Sequence, residues 1–168
     1  MSGPALVLIG IPGSGKSTVG ARLAAALGVA LADLDDLVET EFDAPAPEVF
    51  ATRGEPAYRA VEERVALVAL AGSGVVALSS GVIESERVRQ ALAELPVVWL
   101  RVSVTTATRR LSMNRYGMAA LVAIRDRMDA MLEQRAPWYE AAATLAVDTD
   151  RRSAEQVASA ILDQGVQP

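Results

Sequence analysis

The chain has 168 residues, 51% apolar and 22% charged, with a formal net charge of −5; this suits one globular domain and supplies no global basic field for nucleic acid or an anionic membrane. It contains no cysteine and no histidine, which excludes disulfides, thiolate nucleophiles and imidazole bases and leaves acid–base work to carboxylates and metal binding to oxygen ligands. No apolar stretch reaches the roughly 20 residues of a membrane helix, and no basic-flanked signal sequence opens the chain, so a soluble, cytoplasmic monomer is the expectation.

Residues 5–9 read as a short buried strand closed by Gly10. Residues 17–27 carry helix formers at apolar spacing, with Gly28 where a helix terminator belongs. VALADLDD, 29–36, gives a second strand that ends in acids. A helical region follows, and the prolines of APAPEVFATRGEPAY break one helix and open another near Glu55 that runs to the glycines at 72 and 74. VVALSS, 75–80, is a third strand and 84–95 an amphipathic helix. Residues 96–104 form a fourth strand, 105–112 a short helix and 119–134 a long one. TLAVDT, 144–149, is the last strand, and 153–165 a closing helix whose Ser153 and Glu155 suit its first turn. This alternation predicts an α/β fold of three layers, a parallel sheet of about five strands between helices, with ligands beyond the carboxyl ends of the strands. Nothing divides the chain, so residues 1–168 are read as one domain.

Gly10-Ile11-Pro12-Gly13-Ser14-Gly15-Lys16-Ser17 satisfies the P-loop pattern in full, after a strand and before a helix. Its glycines let backbone amides converge on phosphates, Lys16 neutralises them, and Ser17 is a Mg²⁺ ligand at a helix N-terminus. Gly13, Ser14, Gly15, Lys16, Ser17 and Thr18 are therefore the nucleotide-binding candidates, for ATP or GTP. Asp33 and Asp35 lie two apart at a predicted strand end, where alternation points both the same way, toward the loop. With no histidine, one aspartate is needed to take the acceptor's proton and a second to hold Mg²⁺ through water. Asp36 reads as a solvated acid.

These motifs, taken with the rest of the chain, resemble the shikimate kinases, P-loop kinases of nucleoside-monophosphate-kinase type. DLDDLVE is similar to the family's Asp-x-Asp motif, which implies Asp33 on the Mg²⁺ side and Asp35 at the substrate hydroxyl. VFATRGEPAYRAVEE resembles its substrate-domain helix and implies that Arg59 holds the substrate carboxylate. EQRAPWYE resembles its Arg-x-Pro-x-Tyr segment, giving Arg135 as a second clamp. TRRL places Arg110, and VDTDRRS places Ser153, on the adenine side. Arg64, Arg87 and Arg89 match nothing and read as surface residues. The resemblance implies a substrate-binding region near 34–62 and a lid near 111–122.

Two places depart from the family pattern. A triple-glycine turn is replaced by Ser79-Ser80-Gly81, which puts side chains into a crowded site and invites strain if a positive φ is needed. The lid lacks the family's Arg-Pro-Leu, and Arg115, followed by Tyr116 and Gly117, is the candidate to reach the phosphates. Taken together, the resemblance implies Mg²⁺-dependent transfer of the ATP γ-phosphoryl group to the 3-hydroxyl of shikimate, a step of aromatic amino-acid biosynthesis. Lys16, Asp35 and Arg115 would be catalytic, and Asp35, Arg59, Ser80, Gly81 and Arg135 would hold the substrate. The alternatives are a kinase for another small hydroxy acid, such as quinate or gluconate, and a nucleotide-binding domain without catalysis.

Overall fold

In the computed structural model, which describes residues 3–165, five strands form one sheet: β1 (Leu6–Ile9), β2 (Leu31–Asp33), β3 (Val75–Ala77), β4 (Val97–Arg101) and β5 (Leu145–Asp148). Their order is β2-β3-β1-β4-β5, and every neighbouring pair is parallel. The middle strand β1 is buried at all four positions, which is why it reads as an unbroken apolar run rather than as an alternation.

Among the described residues, eight α-helices surround the sheet: α1 (Lys16–Leu27), α2 (Leu34–Phe42), α3 (Ala46–Arg53), α4 (Glu55–Leu70), α5 (Glu86–Leu92), α6 (Val104–Arg110), α7 (Met118–Ala142) and α8 (Ala154–Leu162). Alternate β1 side chains enter two separate cores, as the two-residue period of a strand requires. Leu6 and Leu8 pack with Leu23 of α1 and Ile161 of α8. Val7 and Ile9 face the other way, toward Leu34 of α2, Ala66 of α4, Val88 of α5 and Tyr139 of α7. The predicted three layers are therefore present.

Two elements differ from expectation. Strand β2 stops at Asp33, whose side chain caps α2 by accepting a 3.1 Å hydrogen bond from the Asp35 backbone N–H. Asp35 thus stands in the first turn of a helix, not on a strand beside Asp33. The helix predicted to end at Gln134 continues to Ala142, through Pro137. A proline there removes one backbone donor; burial of Tyr139, 1% exposed, and the pairing of the buried Arg135 with Glu84 stand against that loss. Arg135 and Tyr139 lie four apart, so they share one helix face. Trp99 of β4 lies 5.8 Å from the Tyr139 ring, and Arg89 stacks its guanidinium 4.6 Å above Trp138.

Candidate active site

The loop after β1 sits at the carboxyl end of the sheet's central strand, between β3 and β4. Gly13 takes a φ of 79°, and a Cβ there would stand 2.7 Å from the Ala107 carbonyl of α6; only glycine meets both demands. Lys16, the first residue of α1, is 8% exposed. Its Nζ donates to the carbonyls of Gly10 (2.9 Å) and Ile11 (3.1 Å) and to Ser80 Oγ (3.2 Å). Burial pulls its pKa down from 10.5 to about 8, against the opposing pull of Asp35 and Asp33.

Lys16, Ser17, Asp35, Arg59, Ser80 and Arg135 line one cleft of about 640 Å³, together with Gly13, Gly15, Thr18, Gly81 and Arg110. Asp35 opens into it at the start of α2, reached by solvent but crowded by protein. Burial is the main reason its carboxyl holds a proton more tightly than usual; Asp33, Glu62 and Glu39 add to this, and Lys16 opposes it. A carboxyl moved in that direction is better suited to accept a proton near neutral pH.

Two arginines line the same cleft as the phosphate loop. Arg59 and Glu62 sit three apart on α4, and their ion pair measures 2.8 Å; Arg59 also reaches Glu55 Oε1 at 3.3 Å. Arg135 of α7 pairs with Glu84 Oε1 through Nε at 2.9 Å and Nη2 at 2.8 Å. One turn further on, the Tyr139 hydroxyl donates to the Ser80 carbonyl at 2.7 Å. The condition for strain in the serine turn is not met: neither Ser79 nor Ser80 has a positive φ. Ser79 Oγ donates to Glu62 Oε1 at 2.6 Å, and Gly81 leaves the space that the Arg59 guanidinium fills.

A second hollow, of about 160 Å³, opens on the far side of the loop between Ser14, Thr18, Arg110, Thr149 and Arg152. Arg110 joins the two clefts, donating to the Gly13 carbonyl at 3.2 Å and to Thr149 Oγ1 and O at 3.0 and 2.6 Å.

Three predicted residues line neither cleft. Arg115 ends a short 3-10 turn, Met113–Arg115, is exposed and donates to the hydroxyl of its own neighbour Tyr116 at 3.2 Å. Ser153 lines neither cleft; its side chain forms a reciprocal capping box with Gln156 at the start of α8. Asp33 is occupied as the α2 cap, though its charge acts on Lys16. Sequence reasoning did not single out Glu84, Thr149, Arg152 or the Tyr139 bond to Ser80. Thr149 and Arg152 lie within the quoted VDTDRRS and Tyr139 ends the Arg-x-Pro-x-Tyr match, whereas Glu84 had no local sign.

Among the described residues, no three Asp, Glu, His or Cys side chains assemble into a metal cage. Ser17, Asp33 and Asp35 present hard oxygen donors around the loop instead. That set fits Mg²⁺, which usually takes one or two protein ligands and completes its shell with phosphate oxygens and water.

A glycine loop on the central strand of a parallel sheet, with a buried lysine facing a small cationic cleft, defines a P-loop kinase of a small anionic acceptor. The shikimate kinase family model matches residues 12–165. A Mycobacterium avium shikimate kinase is 46% identical over 154 residues, covering 89% of this chain and 86% of the relative. A Mycobacterium tuberculosis shikimate kinase is 43% identical over 165 residues, 96% of this chain and 93% of the relative. The structure of shikimate kinase from Acinetobacter baumannii in complex with shikimate superposes with a TM-score of 0.83 at 29% identity, covering 96% of this chain and 92% of that one. The chain belongs to the shikimate kinase family.

Proposed function

We propose that this protein transfers the γ-phosphoryl group of ATP to the 3-hydroxyl of shikimate. The observation that carries the reading is the meeting of Lys16, Asp35, Arg59 and Arg135 in one cleft: a phosphate cation, a carboxylate base and two arginines for an acceptor carboxylate. Shikimate is a small hydroxylated anion, and paired guanidinium groups recognise a carboxylate through charge-assisted hydrogen bonds.

In this reading the amides of Gly13, Ser14, Gly15 and Lys16 cradle the phosphates, and the Lys16 ammonium draws the γ-phosphoryl charge toward itself. Thr18 and Arg110 border the nucleoside side, where the capped start of α8 at Ser153 holds the Thr149–Arg152 loop in place. Ser17, with Asp33 behind it, would hold Mg²⁺, which supplies charge neutralisation to the phosphates. Asp35 accepts the proton of the acceptor hydroxyl as that oxygen attacks phosphorus. Arg59 and Arg135 fix the carboxylate, while Ser80 and the backbone of Gly81 border the ring. The segment near 111–122 acts as a lid, and its closure brings Arg115 over the transfer and excludes water. Residues 34–62 are the acceptor-binding region of a single domain. The reading extends to a cytoplasmic monomer: every proposed role is filled within one acidic, cysteine-free chain.

The test is ADP release from Mg·ATP with shikimate, quinate or gluconate, for the wild-type protein and for Asp35→Asn. Stimulation by shikimate alone is expected, with kcat about 10²–10⁴-fold lower in the variant and ATP still bound. Stimulation only by quinate or gluconate overturns the acceptor; an unchanged kcat in Asp35→Asn overturns the base.

A further inference from the structure

We infer that Ser79, where the family resemblance predicts a side-chain-free glycine, is a positioning residue that fixes the acceptor-binding guanidinium of Arg59 by locking Glu62. This rests on the proposed role of Arg59 toward the acceptor carboxylate.

Glu62 is 2% exposed and Ser79 6%, so this carboxylate is shut off from water and must find its hydrogen bonds within the protein. It finds two, from different parts of the fold. Oε1 accepts from Ser79 Oγ at 2.6 Å, and Oε2 accepts from Arg59 Nη1 at 2.8 Å. The serine comes from the segment after β3, and the other two residues from α4. One oxygen is thereby tied to the end of the sheet while the other holds the arginine. Both short bonds fix the rotation of the carboxylate, and so the position of the guanidinium it grips.

Arg59 needs this support. Its other partner, Glu55, is 3.3 Å away, with a side chain 62% exposed, and an exposed pair of that kind exerts little hold. Without Ser79, Glu62 keeps a single donor, its head group is free to turn, and Arg59 leaves its place above Gly81. A glycine at 79 would leave Arg59 paired to a Glu62 whose other oxygen has no donor. In this chain the hydroxyl adds a directional bond of the charge-assisted kind.

The experiment compares Ser79→Ala and Ser79→Gly, each in the wild-type and the Arg59→Ala background, with melting temperature and nucleotide binding measured alongside. In the wild-type background each variant is expected to raise KM for shikimate about tenfold, the scale of one hydrogen bond to a charged group. The kcat and the KM for ATP should stay within about twofold. In the Arg59→Ala background the same changes should have no further effect on KM for shikimate, because the group being positioned is gone. A general structural role would instead give equal increases in both backgrounds, or move the two KM values together; either result overturns the inference. An unchanged KM for shikimate in both Ser79 variants overturns it as well. If Arg59→Ala leaves KM for shikimate unchanged, the clamp and the inference fall together. Failure of shikimate to stimulate the wild-type protein is a different result and bears on the acceptor itself.

Discussion

Gly81→Ala tests whether the acceptor wall depends on the place Arg59 occupies. At position 81 φ is −85°, which alanine adopts without strain, so the substitution acts through its methyl group alone. A Cβ built there runs into Arg59 Nη1 and stands 2.7 Å from Cζ and 2.8 Å from Nη2. Carbon contacts are comfortable at about 3.5–4.0 Å, so the guanidinium must retreat by about 1 Å. Displacement on that scale can cost about 10²-fold where geometry matters, and a rise of about 10–100-fold in KM for shikimate is expected, with the KM for ATP little changed. The retreat also loosens the 2.8 Å ion pair with Glu62, whose Arg59 side chain is 31% exposed. The cost is then below the 3–5 kcal/mol of a wholly buried pair, about 1–2 kcal/mol, or a fall of about 2–8 °C in melting temperature for a domain of this size. Steady-state kinetics with each substrate varied, beside a thermal melt, reads both numbers. A melt lowered on this scale with KM for shikimate unchanged would refute the placement of the acceptor at Arg59.

Two further outcomes follow from the same geometry. Lys16 loses its proton near pH 8 in the folded protein but near 10.5 when unfolded, so affinity for the fully ionised nucleotide, measured by calorimetry, should fall as pH rises through about 8. Over the interval between 8 and 10.5 the unfolded chain carries the extra proton, so this one group makes the fold more stable as pH rises; Lys16→Arg, which stays charged, should abolish the break in affinity, and a break near 10.5 in the wild type contradicts the burial argument. Tyr139→Phe removes the donor to the Ser80 carbonyl, which costs about 1–2 kcal/mol and should lower the melting temperature by about 2–8 °C; an unchanged melt would show that water replaces the hydroxyl.

The parts of the site readable from sequence are those carried by short spacings. The phosphate loop compresses its whole logic into eight residues, and the Arg59–Glu62 pair needs only a helix and a separation of three. Asp35 shows how a spacing argument reaches a residue by the wrong road. Alternation along a strand led toward it, yet β2 ends two residues earlier and the first turn of α2 presents it, with Asp33 spent as the cap. Pro137 misled in the opposite sense, because its local cost is visible in the sequence and the burial and pairing that stand against it are not. The contacts that shape the acceptor wall join residues far apart: Ser79 to Glu62 across 17 positions, Arg135 to Glu84 across 51, Tyr139 to Ser80 across 59. No short window of residues contains them, and only the crossings of a parallel sheet bring them together. Arg115 shows the limit of motif matching: the pattern picks a residue, and its side chain is found on the neighbouring Tyr116 rather than among the cleft-lining groups.

The aromatic neighbours of α7 have a use of a different kind. The chain has two tryptophans, one against Tyr139 and the other beneath Arg89, directly before Tyr139 in sequence. Both indoles therefore border the helix that carries Arg135. Movement of that helix changes the surroundings of every tryptophan in the protein at once, with no remote indole to dilute the signal. Intrinsic emission is thus a label-free optical readout of the acceptor wall, and stopped-flow fluorescence can time its response apart from phosphoryl transfer.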